Sequence, residues 1–226
     1  MTDRRYIRSD SFANVHRLNG AGPGPTAATS ALLELLRGAV IVPCGSSVDF
    51  AIALDWYSKI VDDKLGAHTD LADLVHRGKY WYKADADKQR EVGLKVAGEI
   101  TEFVSQHPLL KDVDAIASVP GHDARVSSFG ARVAATVARD RGDVPIVHCE
   151  STRSFRAPAK SLPPAERAAA LTGQFRCTVD VSGQNVLIVD DVYSTGASAE
   201  ETARALRAAG ARAVASLAAV RTMKSG

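Results

Sequence analysis

A chain of 226 residues is long enough to bury a good core, and 46% hydrophobic with 24% charged residues is the balance of an ordinary soluble globular protein, one domain or one with an appendage. The formal net charge of +2 argues against bulk nucleic-acid binding. Cys44, Cys149 and Cys177 lie far apart with no C-x-x-C pair, so neither a zinc module nor a disulfide framework is indicated and a reduced, cytoplasmic setting is expected.

The opening MTDRRYIRSD leads into no apolar run, so no signal peptide is expected, and nothing approaches the ~18 apolar residues of a membrane span. Residues 1–30 are polar and then rich in Gly, Pro, Ala and Thr, which reads as an arm or linker. Ala31 to Arg37 has the spacing of a short amphipathic helix. Ala39 to Val42 and Val48 to Trp56 are strand-like around the turn formers Pro43-Cys44-Gly45-Ser46-Ser47, which predicts a hairpin or two adjacent edge strands. Asp70 to Arg77 is helical. His76, Arg77, Lys79, Tyr80, Trp81, Tyr82 and Lys83 then form a basic, aromatic cluster, which suits base stacking or phosphate binding. The plainer reading, preferred here, is a solvated cationic stretch whose rings anchor a loop.

Asp85 to Gln106 is the longest predicted helix, with Val92, Val96, Ile100, Phe103 and Val104 on one face. Asp114 to Val119 reads as a buried strand followed by the turn Pro120-Gly121-His122-Asp123. Ser127 to Arg139 is a helix with Phe129, Val133 and Val137 inward, and Val144 to His148 is a strand. Glu150 to Gly173 has no firm periodicity and carries Arg153, Arg156, Lys160 and Arg167. So long a loop in a compact domain is often a lid, and a cationic lid suits an anionic leaving group; the alternative is a short surface helix after Pro163-Pro164. Gln174 to Val179 and Val186 to Val189 are expected to pair as neighbouring strands. Ala211 to Val220 is a last strand, a βαβ partner of Val186 to Val189.

The stretch VLIVDDVYSTGAS, Val186 to Ser198, holds the most chemistry. An apolar strand ends in Asp190 and Asp191, a turn Ser194-Thr195-Gly196-Ala197-Ser198 follows, and a helix runs from Ala199 to Ala209. A strand feeding a Gly-containing turn at a helix start offers free N–H groups and the positive end of the helix dipole to a phosphate. The acidic pair would repel a bare phosphate, so a sugar diol or a metal ion is expected between them. In an open α/β sheet, ligands gather beyond the carboxyl ends of the strands, so this turn and Val119 to His122 should face one crevice.

VLIVDDVYSTGAS resembles the signature with which type I phosphoribosyltransferases bind phosphoribosyl pyrophosphate (PRPP). The resemblance implies an α/β fold with a central, mostly parallel sheet flanked by helices and a small N-terminal hood, over a domain of residues 31–226 with hood elements from 31–83. It implies that Asp190 and Asp191 hold the ribose hydroxyls and, directly or through PRPP and water, Mg²⁺. Ser194, Thr195, Gly196, Ala197 and Ser198 would take the 5′-phosphate, and Val119, Pro120, Gly121 and His122 the pyrophosphate. From about Leu74 onward the order of features is similar to the ComF-like branch, through Lys79-Tyr80 before the long helix and Arg167-Ala-Ala-Ala-Leu-Thr-Gly-Gln-Phe175. Ala170 stands where that branch has Asn, Ala159 near its Gln, and its zinc module is missing.

The implied activity is Mg²⁺-dependent transfer of ribose 5-phosphate from PRPP to a nitrogenous base or related acceptor with release of pyrophosphate, Arg153, Arg156, Lys160 and Arg167 neutralising the leaving group. Dimers are usual in the family. Two alternatives are a non-catalytic PRPP- or nucleotide-sensing module and a hydrolase of PRPP-like compounds.

Overall fold

The computed structural model describes residues 39–62, 64–123, 125–153 and 164–223. The expected arm (1–30) and the helix at 31–37 lie outside them. A hairpin opens the described part: β1 (Val40–Val42) and β2 (Phe50–Trp56) pair antiparallel, Val40 opposite Ala53. A second, two-stranded sheet follows, β3 (Ser58–Val61) with β4 (Lys64–His68). Next come α1 (Asp70–His76), one turn of wide π-helical geometry at Arg77–Trp81, and the long α2 (Ala86–Gln106). Then follow β5 (Ala115–Ser118), α3 (Phe129–Asp140), β6 (Ile146–Ser151), α4 (Pro164–Leu171), β7 (Phe175–Cys177), β8 (Asn185–Tyr193), α5 (Ala197–Ala208) and β9 (Ala213–Arg221).

Local chemistry starts the helices where short polar side chains precede apolar periodicity. Thr69 accepts from the Ala72 N–H, Asp85 from Lys88 and Ser128 from Ala131, so α1, α2 and α3 each have a side-chain N-cap. The inward faces then assemble two cores, one on each face of the sheet. Val75, Val96, Ile100, Val104, Val133 and Val137 pack with Ile116, Leu187 and Leu217 on the side of α1, α2 and α3. Ala203 and Leu206 of α5, with Leu171 of α4, pack with Val186, Ile188 and Ala218 on the other. Adjacent residues of β8 thus feed opposite layers, and the strand is apolar without alternation because both of its faces are covered.

The main sheet has seven strands in the order β1-β2-β9-β8-β5-β6-β7. The inner five run parallel, with antiparallel strands at both edges. This is the mostly parallel, helix-flanked sheet expected from the sequence. Three local expectations change. Phe175–Cys177 pairs with β6 rather than β8, because β8 is already flanked on both sides by β5 and β9. Asp190 and Asp191 lie inside β8, which continues to Tyr193, rather than after its end. The segment from Glu150 contains the end of β6 and the helix α4. Among the described residues no helix is long and apolar enough to cross a membrane.

From β5 the chain passes through α3 to β6 on one side; from β8 it passes through α5 to β9 on the other, with the two helices on opposite faces. Strand order therefore reverses between β5 and β8, and a crevice opens there at the carboxyl ends of both strands.

Candidate active site

Parallel pairing of β5 and β8 ends with Ser118 opposite Val189. Asp190 and Asp191 come one and two positions later, level with the start of the loop Val119 to His122. The first turn of α3 joins the two. A Cβ placed on Gly121 would stand 3.6 Å from Ser128 Cβ, and one placed on Gly130 only 2.9 Å from Asp190 Oδ1 and 3.4 Å from Asp191 Cγ. The carboxylates and the Gly121 loop thus share one helix start, and a side chain at Gly130 would press on the Asp190 carboxylate.

The two carboxylates have different surroundings. Asp191 is buried and its Oδ1 accepts a hydrogen bond from Lys79 Nζ at 2.8 Å; the lysine side chain is itself 29% exposed. Burial pulls the Lys79 ammonium down, but the charges of Asp191 and Asp190 outweigh it and raise it above the ordinary lysine value. Asp190 is half-buried and its Oδ1 accepts the Asp191 N–H at 2.8 Å. Its carboxyl is pushed up to about 7, first by desolvation and then by the neighbouring Asp191 charge, with Lys79 opposing. One carboxylate is thus held by a resident cation, and the other titrates near neutrality.

Lys79 is the site residue that the sequence reading passed over. That reading favoured a solvated stretch for 76–83, whereas the wide turn Arg77–Trp81 delivers Lys79 into the crevice and leaves Tyr80 and Trp81 exposed. The Lys79-Tyr80 pair was visible as a resemblance; its partner 112 positions away was not.

The turn after β8 forms as expected. Gly196 caps α5 with φ of 80°, a left-handed conformation that glycine adopts without penalty, and it has no side chain to satisfy the first N–H groups of the helix. The Ala197 N–H reaches Thr195 Oγ1 at a long 3.4 Å. Glu200, the acidic residue of the first helical turn, points away to the β1–β2 loop, where its Oε1 accepts the Ser47 N–H at 2.9 Å. An anion at the helix start therefore meets N–H groups and hydroxyls. A Cβ on Gly196 would stand 2.2 Å from the Tyr193 hydroxyl, which donates to the Pro43 carbonyl at 2.5 Å. Gly196→Ala is expected to cost on the order of 2 kcal/mol in stability and to displace the turn, read by thermal unfolding and by loss of phosphate-ester binding. An unshifted midpoint with intact binding would show that the turn tolerates a side chain.

Beside the other loop, the exposed Arg125 forms a two-pronged pair with Asp123, at 2.9 Å and 2.8 Å, and these bonds hold the Asp123 carboxyl down at about 2. His122 is exposed and Val119, Pro120 and Gly121 are partly covered. Of the expected leaving-group cations, Arg153 is exposed just beyond β6 and Arg167 falls within α4. Arg156 and Lys160 lie outside the described residues.

Residues 123–225 match the family model of the phosphoribosyl transferase domain. No curated protein matches the chain. Among solved structures, the chain is similar to the phosphoribosylpyrophosphate synthetase from Mycobacterium smegmatis at 23% identity and a TM-score of 0.39, over 56% of this chain and 33% of that one. The chain thus spans about a third of the length of that synthetase. It is also similar to the purine phosphoribosyltransferase from Pyrococcus horikoshii Ot3 at 15% identity and a TM-score of 0.37, over 64% of this chain and 85% of that one. Residues 123–225, the stretch that matches the phosphoribosyl transferase domain, hold both carboxylates, the glycine-capped turn and α5, and they contribute to a mostly parallel sheet flanked by helices.

Proposed function

We propose that the protein binds PRPP in the crevice between β5 and β8 and transfers its ribose 5-phosphate to a nitrogenous base or related acceptor. The observation that carries this reading is the acidic pair at the switch point, level with one backbone loop and followed by a glycine-capped helix start. A diol donates its hydroxyls to Asp190 and Asp191. The 5′-phosphate accepts from Ser194, Thr195, Ser198 and the N–H groups of Gly196 and Ala197, and the pyrophosphate lies along Val119, Pro120, Gly121 and His122. The acceptor nitrogen attacks C1′ as the bond to pyrophosphate breaks. No protein nucleophile is required, and the chain's own residues position the ribose and surround the departing oxygens with cations.

Asp190 and Asp191 offer the hard oxygen donors that Mg²⁺ prefers, although no cluster of three or more metal-ligating side chains occurs among the described residues. Mg²⁺ would therefore be held by Asp190 and Asp191 together with PRPP, either directly or through water. Bound there, it would neutralise charge on the pyrophosphate.

Asp191→Asn and Arg156→Ala are each expected to lower turnover by about 100-fold with the fold retained, the loss usual for one group that stabilises developing charge. Pyrophosphate release from PRPP, measured across a panel of bases, checks this; unchanged turnover in both variants would refute the site. A second reading, a PRPP-sensing module without catalysis, is favoured by one observation: Lys79 already neutralises Asp191. Calorimetric binding of PRPP with Mg²⁺ but no release with any base would select it. Release without a base would select a hydrolase.

A further inference from the structure

Two of the three cysteines, 28 positions apart in sequence, stand directly opposite one another at the far edge of the sheet. Cys149 of β6 and Cys177 of β7 are register partners in an antiparallel pair, followed by Glu150 with Arg176 and Ser151 with Phe175. The Thr152 N–H donates to the Gln174 carbonyl at 2.8 Å, which makes Thr152 and Gln174 a hydrogen-bonded pair. Because such pairs alternate along an antiparallel ladder, Cys149 and Cys177 fall at a non-hydrogen-bonded position, where Cα atoms approach to about 4.5 Å and side chains are closest. That separation lies within the ~4.4–6.8 Å that a disulfide spans.

Both thiols lie on the face of the ladder that packs into the second core with Val147, Leu171 and Phe175, while Glu150 and Arg176 form an ion pair at 3.1 Å on the outer face. Cys149 is buried and Cys177 partly exposed, and both are free thiols. Burial, then the proximity of Cys177 and a hydrogen bond with it, pushes the Cys149 thiol up to about 12. The Cys177 thiol donates to the Val179 carbonyl at 3.3 Å, and of these two register partners one is reachable from solvent and the other is shielded.

We propose that Cys149 and Cys177 form an oxidative modification site, a dithiol that peroxide-class oxidants convert to a cross-strand disulfide. The Cys177 thiolate attacks a peroxide oxygen, the O–O bond breaks, and the leaving hydroxide takes a proton to become water. Cys177 is then a sulfenic acid. The Cys149 thiol gives up its proton and attacks the Cys177 sulfur; the S–O bond breaks, the S–S bond forms and a second water leaves. In sum, two thiols and one peroxide yield one disulfide and two waters. The shielded thiol makes the second step the slow one. The bond closes a ring from Glu150 to Arg176, the stretch with Arg153, Arg156, Lys160 and Arg167, and its formation does not depend on the phosphoribosyl chemistry.

The test uses the full chain with Cys44→Ser, which removes the one other thiol. Treatment with hydrogen peroxide is expected to lower the intact mass by about 2 Da and to yield a linked Cys149–Cys177 peptide under non-reducing conditions, reversed by dithiothreitol. The unfolding midpoint should rise by about 5–10 °C, as ring closure removes freedom from the unfolded chain. Cys177→Ser, a change at the more exposed position, should show neither the link nor the shift. Gain of oxygen at Cys177 without a link, or two thiols still titratable after excess peroxide, would overturn the proposal.

Discussion

Replacing Lys79 with methionine is expected to destabilise the fold by about 2–3 kcal/mol, because it leaves the Asp191 carboxylate buried without its partner. This is at or below the bottom of the range of about 3–5 kcal/mol for broken buried pairs, since the Lys79 side chain is 29% exposed and water relieves part of the loss. Methionine keeps much of the side-chain volume, so the effect is one of charge rather than of a cavity. The chain has a means of relief: without the ammonium, one carboxyl keeps its proton to higher pH. Lys79 opposes the upward shift of Asp190, so its loss should move that titration above its present value of about 7. Lys79→Met combined with Asp191→Asn should recover most of the loss, and denaturant unfolding of the four proteins in the cycle measures the coupling. Strict additivity of the two single changes would remove the ion pair from any role in stability. In turnover, the same substitution separates the readings of the site: a lysine that positions the ribose-binding carboxylate should be needed for release of pyrophosphate, and one that blocks it should not.

Asp190→Asn has the largest expected effect on pH dependence. The carboxyl rises from an ordinary value of 3.8 to about 7 in the folded protein, so between those values the native state holds a proton that the unfolded chain releases. Stability contributed by this group is therefore greatest at low pH and declines as pH rises from about 4 through 7, where the slope flattens. At about 1.4 kcal/mol per pKa unit the decline has an upper bound of about 4 kcal/mol. Asparagine is close to the protonated acid in shape and cannot ionise, so the variant should match the parent only below about pH 4 and exceed it by a margin that widens from about pH 5 to about pH 8. Denaturant titrations between pH 5 and 9 test this; parallel curves for the two proteins would show that Asp190 does not titrate in the window. Ligand binding should run the other way. Diol and metal both favour the ionised carboxylate, so PRPP should bind the parent more tightly as pH rises through 7, and the asparagine variant should lose that gain.

Much of the centre of this protein is encoded in contiguous sequence. Val186 to Val189 read as a buried strand, Ser194 to Ser198 as a glycine-containing turn at a helix start, and the bounds of α2 and α3 were correct to within a residue or two because each helix has an acidic or hydroxyl N-cap. These are local facts: the residues that decide them lie within one turn of one another, and the backbone has few alternatives. The carboxylates were legible as a pair on this strand, although β8 runs three residues past Asp190, to Tyr193.

What lay beyond the sequence is of another kind. Gln174 to Val179 appeared able to join β8, but a strand has only two edges, and β5 and β9 had taken both. Lys79 read as one more solvated cation, because its charge is satisfied by a residue more than a hundred positions away, brought there by the packing of α2 and α3 under the sheet. Cys149 and Cys177, unremarkable by spacing, become neighbours through the register of an edge pair. Local propensity determined the elements and the phosphate-type turn. Pairing across the sheet decided which charges and which thiols meet, since that choice depends on which strand edges and helix faces remain open after the rest of the chain has been placed.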